Sequence, residues 1–233
     1  MTQKLIFLDL ETTGLDTDTC EIIEACYKDK SYYCDTYKPS SPIPFDVSGV
    51  TNIDNIDVLN RPPFKGSEID LMLQNYVEKD YIAITHNTDF DLAVLDRYGI
   101  KFNRSICTYK LAWKLLPELA NHKLGTLRAY FGIPHGDGVA HRADYDVEIL
   151  EQVFDGLVSL IPEVETQELT GENLFNFLVK LSDQAKLEYQ DIFHFGKYKG
   201  QKISDIAKSD FGYIQWLKNN TEDKKLKQYL LSL

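Results

Sequence analysis

The stretch that most constrains this chain is Phe7-Leu8-Asp9-Leu10-Glu11-Thr12-Thr13-Gly14-Leu15. Its first half is apolar enough for a buried central strand, yet Asp9 and Glu11 sit two residues apart inside it. Strand side chains alternate between faces, so residues i and i+2 share one face, with Cα atoms about 7 Å apart. Two anions on one packed face repel each other and are costly to desolvate. Something must compensate them: a metal, an Arg or Lys side chain, or water.

The surrounding pattern gives the frame. "KLIFLDLE" reads as a central strand, and "CEIIEACYKDKSYYCDTYKP" as two further strands joined around Lys28-Asp29-Lys30. "PSSPIPFDVSGVTNIDN" reads as a turn-rich loop. Ile69, Met72, Leu73 and Tyr76 have helical spacing. "DYIAITHN" is a short buried strand followed by a helix that Gly99 stops, and "RSICTYKLAWKLL" is a strand running into a helix. "KLGTLRAYFGIP" gives a short helix and "ADYDVEILEQVFDGLVSL" a long one. Strands first, then strand–helix alternation, predict an α/β domain with a mixed sheet. After Pro162 the character changes to a helix and then a short segment dense in aromatics, Gly and Lys. The expected organisation is a main domain over 1–164, a connecting helix over 165–190 and a small C-terminal domain over 191–233.

Composition excludes some classes. No apolar run reaches the length of a membrane span, and "MTQKLIFLDLE" lacks a signal-peptide pattern. Cys20, Cys26, Cys34 and Cys107 form no CxxC pair or zinc-ligand spacing, so they are expected as reduced thiols of a cytoplasmic protein. The net charge of −11 argues against a non-specific polyanion binder. Charge is uneven, however: residues 180–233 carry 10 Lys/Arg against 7 Asp/Glu, and residues 101–136 hold six basic residues and the single acid Glu118.

Two more acids point at packed faces. Asp146 is followed at helical offsets by Ile149, Leu150, Val153 and Leu157, all apolar, whereas the same test from Asp144 meets Glu148, Glu151 and Asp155. Asp91 is followed by Val94, Leu95 and Tyr98. Either Asp91 or Asp146 alone could simply cap a helix. Capping does not explain Asp9 and Glu11 within a strand. Four converging carboxylates call for about two divalent cations, and hard oxygen ligands suit Mg²⁺ or Mn²⁺. Such a pair clamps the attacking and leaving oxygens of a phosphodiester displacement. His141, five residues before Asp146, is placed to act as general base, and His86 at a strand end to orient a loop or touch substrate.

These residues resemble a known family. "DLETTGL", "HNTDFD" and "HRADYD" are similar, in order and spacing, to the three motifs of the DEDDh exonucleases, the proofreading-type 3′–5′ exonucleases. The likeness covers about residues 3–160, and the tail "FGKYKGQKISDIAKSDFGYIQWL" resembles the C-terminal segment of the exodeoxyribonuclease X branch. The resemblance implies a ribonuclease H-like mixed five-stranded sheet flanked by helices, with a small C-terminal domain. It implies that Asp9 serves two divalent cations, that Glu11 and Asp146 complete one site and Asp91 the other, and that His141 deprotonates the attacking water. It implies substrate contacts from Thr12, Thr13, Gly14, Leu15, His86 and Asn87, with Leu15 as a wedge against the last base. The position often filled by His in the family's "SGVTNIDNIDVLNRPPF"-like segment is Ser48 here. The implied activity is release of 5′-mononucleotides from DNA 3′ ends in repair or recombination. RNA as substrate, a non-catalytic nucleic-acid-binding module on the same fold, and a tail that docks a protein partner are the alternatives. Ordinary core packing competes with the wedge role for Leu15. A small apolar core competes with a stacking surface for Phe193, Phe195, Tyr198, Lys197, Lys199 and Lys202.

Overall fold

The computed structural model describes residues 4–135, 143–162 and 171–233. Strands β1 (Leu5–Thr12), β2 (Ile22–Lys28), β3 (Tyr32–Thr36), β4 (Ile82–Thr85) and β5 (Arg104–Cys107) form one sheet in the order β3-β2-β1-β4-β5. β1 runs antiparallel to β2 and parallel to β4, so the sheet is mixed and β1 lies at its centre. Hydrophobic alternation sends the two faces of β1 to different layers. Ile6, Leu8 and Leu10 pack with Val94 and Leu95 of helix α4 (Thr88–Arg97) and Ile69 and Leu73 of α3 (Glu68–Glu78). Phe7 packs on the opposite layer with α5 (Thr108–Leu115), α6 (Leu124–Tyr130) and α7 (Ala143–Ser159). Its ring meets Phe154 of α7 edge to face at 5.6 Å. Asp9 and Glu11 share the face of Phe7, and therefore look toward α7.

The segment read as a turn-rich loop contains two short helices, α1 (Phe45–Thr51) and α2 (Asn55–Val58). Asp54 and Asp57 form a reciprocal capping box at the start of α2. Residues that favour turns are also the residues that cap helices, which is why composition alone misread this stretch. Ser48 acts locally, donating its hydroxyl to the Ile53 carbonyl at 2.9 Å.

The cysteine expectation needs a correction. Cys26 and Cys34 are joined in a disulfide, while Cys20 and Cys107 are free and buried. The pair arises because the β2–β3 register sets these two residues directly opposite each other. That juxtaposition depends on strand pairing and leaves no CxxC signal. Among the described residues, no helix is long and apolar enough to cross a membrane.

The chain divides into two compact units, Met1–Ser182 and Asp183–Leu233, within helix α8 (Glu172–Gln190). The second unit has its own small core of Phe193, Ile203, Ile206, Ile214, Leu217 and Leu230. Asp191 fastens it, accepting hydrogen bonds from the Ser204 amide and hydroxyl and from the Tyr229 hydroxyl. Phe193 therefore belongs to the core. Lys197 sits over the rings of Tyr198 and Tyr213 and pairs with Asp210, while Phe195, Phe211 and Trp216 are exposed.

Candidate active site

The site is assembled at the C-terminal end of β1. There the ladder with β2 is interrupted between Glu11 and Thr12, and the chain leaves the sheet. The turn that follows is held by local bonds. The Thr12 hydroxyl donates to the Gly14 carbonyl at 2.7 Å, and the Thr13 amide donates to the Glu21 carbonyl at 2.9 Å. The Glu21 amide in turn donates to the Thr13 hydroxyl. Arg97, in the last turn of α4, donates to the carbonyls of Thr17 and Cys20. Within this braced turn Leu15 is 89% exposed, which rules out core packing for it.

Two helices bring the other acids. Each of Asp91 and Asp146 is the fourth residue of its helix, α4 and α7 respectively. The N-terminal turn of a helix presents unsatisfied N–H groups and partial positive charge, so carboxylates are favoured there. Asn87, not Asp91, occupies the N-cap position of α4. Carboxylate oxygens of Asp9, Glu11 and Asp146 lie within 4.8 Å of one another. Asp91 is buried beside Asp9 and weighs on its charge more than any other neighbour.

The electrostatics record the crowding. Burial, then the charges of Asp91, Glu11, Asp146 and Glu24, hold the Asp9 carboxyl well above the usual range. Burial pushes Asp91 up to about 7, against the lowering effect of the Thr85 hydroxyl and nearby backbone N–H groups. Among the described residues, the neighbours that weigh most on Asp9 are all acids. The donor set is carboxylate oxygen throughout, which fits a hard divalent cation.

His86 sits where β4 ends. Its Nδ1 lies 3.0 Å from the Thr108 hydroxyl, and its carbonyl accepts from the Tyr109 amide. Burial lowers its pKa to about 4, so the ring is neutral near pH 7. Asn87 is exposed next to it. His141 lies outside the described residues. In the basic stretch over 101–136, Lys101 pairs with Asp96, Arg104 with Asp80 and Glu172, and Arg128 donates to the Ile133 carbonyl. Those three cations are engaged within the protein.

The chain matches the exonuclease family over residues 6–154, well over half its length. It belongs to that family. Residues 193–222 of this exonuclease match a second family, the exodeoxyribonuclease X-like C-terminal segment. Exodeoxyribonuclease 10 of Escherichia coli is 29% identical over 97% of this chain and 98% of its own. The PolC-type DNA polymerase III of Mycoplasmopsis pulmonis is 28% identical over 94% of this chain but only 15% of its own length. The DNA polymerase III epsilon subunit of Aquifex aeolicus is 29% identical over 64% of this chain and 77% of its own. A solved structure of exonuclease X in complex with 5′ overhanging duplex DNA superposes with a TM-score of 0.56 at 23% identity, covering 75% of this chain and 99% of that one. Cell-death related nuclease 4 superposes with a TM-score of 0.53 at 15% identity, covering 69% of this chain and 65% of that one. The fold is thus ribonuclease H-like, as the motifs implied, and the protein is a 3′–5′ exonuclease of the DEDDh group.

One residue of the site was missed in the sequence. Glu24 stands opposite Glu11 on β2 and is only 1% exposed. Its signal was the same as that of Asp9 and Glu11, a carboxylate within an apolar strand, in "EIIEAC".

Proposed function

We propose that this exonuclease is a divalent-metal-dependent exodeoxyribonuclease that releases 5′-mononucleotides from DNA 3′ ends. The observation that carries the reading is the meeting of Asp9, Glu11 and Asp146 within 4.8 Å, with Asp91 buried beside Asp9. Asp9 would contribute to two cation sites, Glu11 and Asp146 completing one and Asp91 the other. Mg²⁺ is the expected ion and Mn²⁺ its substitute. Bound cations supply Lewis-acid stabilisation of the attacking and leaving oxygens of the phosphodiester.

The protein's own groups do the rest. His141 takes the proton of the attacking water as general base. Thr12, Thr13 and Gly14 form a braced turn whose backbone meets the terminal nucleotide. Leu15, exposed in that turn, lies against the last base. The neutral His86 ring ties the end of β4 to the start of α5 and so fixes the entry to α4, where Asn87 faces solvent and Asp91 follows.

DNA is favoured over RNA because relatives along the whole chain are named exodeoxyribonucleases and a neighbour in fold is solved with duplex DNA. A cytoplasmic role in DNA repair or recombination fits those relatives. The test compares matched DNA and RNA oligonucleotides carrying the same 5′ label, with chromatography of the released product. Faster shortening of DNA and release of 5′-mononucleotides is expected. Faster shortening of RNA would make this an exoribonuclease, and tight binding without digestion in Mn²⁺ would make it a binding module.

A further inference from the structure

We infer that Glu24 is a positioning residue of the catalytic centre, setting the first turn of α7 and through it Asp146; this rests on the exonuclease reading above. The Glu24 carboxylate accepts a hydrogen bond from the backbone N–H of Ala143 at 2.8 Å. Ala143 is the first residue of α7 and Asp146 lies three residues on, in the same turn. The N–H groups of a first turn have no partner within the helix, so a buried side chain must satisfy them or the turn frays. An acceptor oxygen at the end of a side chain of the right length does so.

The register shows why this one contact can govern the site. Glu11 and Glu24 are directly paired across β1 and β2, so one strand ladder carries both a metal-site acid and the residue holding α7. Two residues along, Asp9 is paired with Cys26, and further on Lys28 of β2 is ion-paired with Glu151 of α7. Glu24 and Lys28 therefore grip α7 at two points, one on either side of Asp146 in sequence. Lys28–Glu151 is partly exposed, whereas Glu24–Ala143 is buried. The buried contact is the one that water cannot replace. The charge of Glu24 helps to hold the Asp9 carboxyl above its usual range, yet Glu24 stands outside the 4.8 Å cluster of Asp9, Glu11 and Asp146. Its part is orientation, not ligation. Partners of this kind behind a metal site typically account for about 10–100-fold in affinity or activity.

The test separates reach from charge. Glu24→Gln keeps the length and an acceptor oxygen, so it can still take the Ala143 N–H. Glu24→Asp keeps the charge but is one methylene too short. Three readouts apply to the full-length protein: Mn²⁺ affinity by calorimetry without DNA, kcat and KM on a single-stranded oligonucleotide, and amide hydrogen exchange over residues 143–147. Glu24→Asp is expected to bind Mn²⁺ about 10–100-fold more weakly and lose kcat by a similar factor with KM unchanged. Exchange at the first turn of α7 should be faster in it, and Glu24→Gln should stay close to wild type in all three. Loss in Glu24→Gln with retention in Glu24→Asp would overturn the inference, because charge rather than reach would then matter. Wild-type behaviour of both, or equal loss in both, would overturn it too. Absence of DNA digestion by the wild type would instead refute the exonuclease reading, and the exchange comparison would still decide whether Glu24 holds the turn.

Discussion

Asp91→Asn should stabilise the metal-free protein while abolishing its activity. Asp91 is buried, and its carboxyl is displaced from an ordinary 3.8 to about 7. In the unfolded chain the group ionises freely above its ordinary pKa, but in the fold it resists ionisation until about pH 7. The folded state thus binds more protons over that window, so stability falls as pH rises from about 4 to 7 and stays low above it. The full displacement corresponds to about 4 kcal/mol above neutral pH. Sharing of the repulsion with Asp9 reduces the gain expected from one substitution to about 2 kcal/mol. Asn has the same shape and cannot ionise. For a protein of this size the gain is about 4–8 °C in Tm. The assay is thermal unfolding in EDTA at pH 8 and pH 5, with and without Mg²⁺. The variant should melt higher than wild type in EDTA at pH 8, and by less than half as much at pH 5. Mg²⁺ should raise the wild type much more than the variant. A lower Tm for Asp91→Asn in EDTA at pH 8, or a difference independent of pH, would refute the reasoning.

Other perturbations have separable outcomes. His141→Ala should reduce kcat by about 10²–10⁴-fold with unchanged Mn²⁺ binding by calorimetry, as loss of a general base requires. His86, buried and neutral with its pKa lowered to about 4, contributes stability that is present above about pH 6.5 and lost as pH falls toward 4; His86→Asn should flatten that part of the Tm–pH profile. Leu15→Ala should shift stability by less than about 0.5 kcal/mol in urea unfolding, because the side chain is exposed, yet raise KM on single-stranded DNA. Phe7→Ala removes a ring packed against Phe154 and should cost about 3–5 kcal/mol in the same unfolding experiment.

The four candidate acids stood out in the sequence because of where they fall. Asp9 and Glu11 interrupt a strand, and Asp91 and Asp146 start apolar helical stripes. The sheet was legible because β4 runs apolar throughout and β1 and β2 are mostly apolar around their carboxylates. Features that depend on which residues face each other across strands were not legible. The Cys26–Cys34 pair needs the β2–β3 register, and the contact of Glu24 with Ala143 spans 119 residues. Leu15 was ambiguous because an apolar residue after a turn suits both a core and a substrate wedge, and its exposure excludes the core. The basic stretch over 101–136 stood out in composition, but ion pairs such as Arg104 with Asp80 and Glu172 are set by the fold and cannot be read from composition.

The central claim is that these acids hold divalent cations for hydrolysis from a DNA 3′ end. The most direct measurement incubates wild type and Asp9→Asn with 5′-labelled single-stranded DNA in Mg²⁺ and in EDTA. The account predicts a ladder shortening from the 3′ end in wild type with Mg²⁺, and intact substrate in EDTA and in the variant. Digestion that survives EDTA, or that persists undiminished in Asp9→Asn, would contradict it.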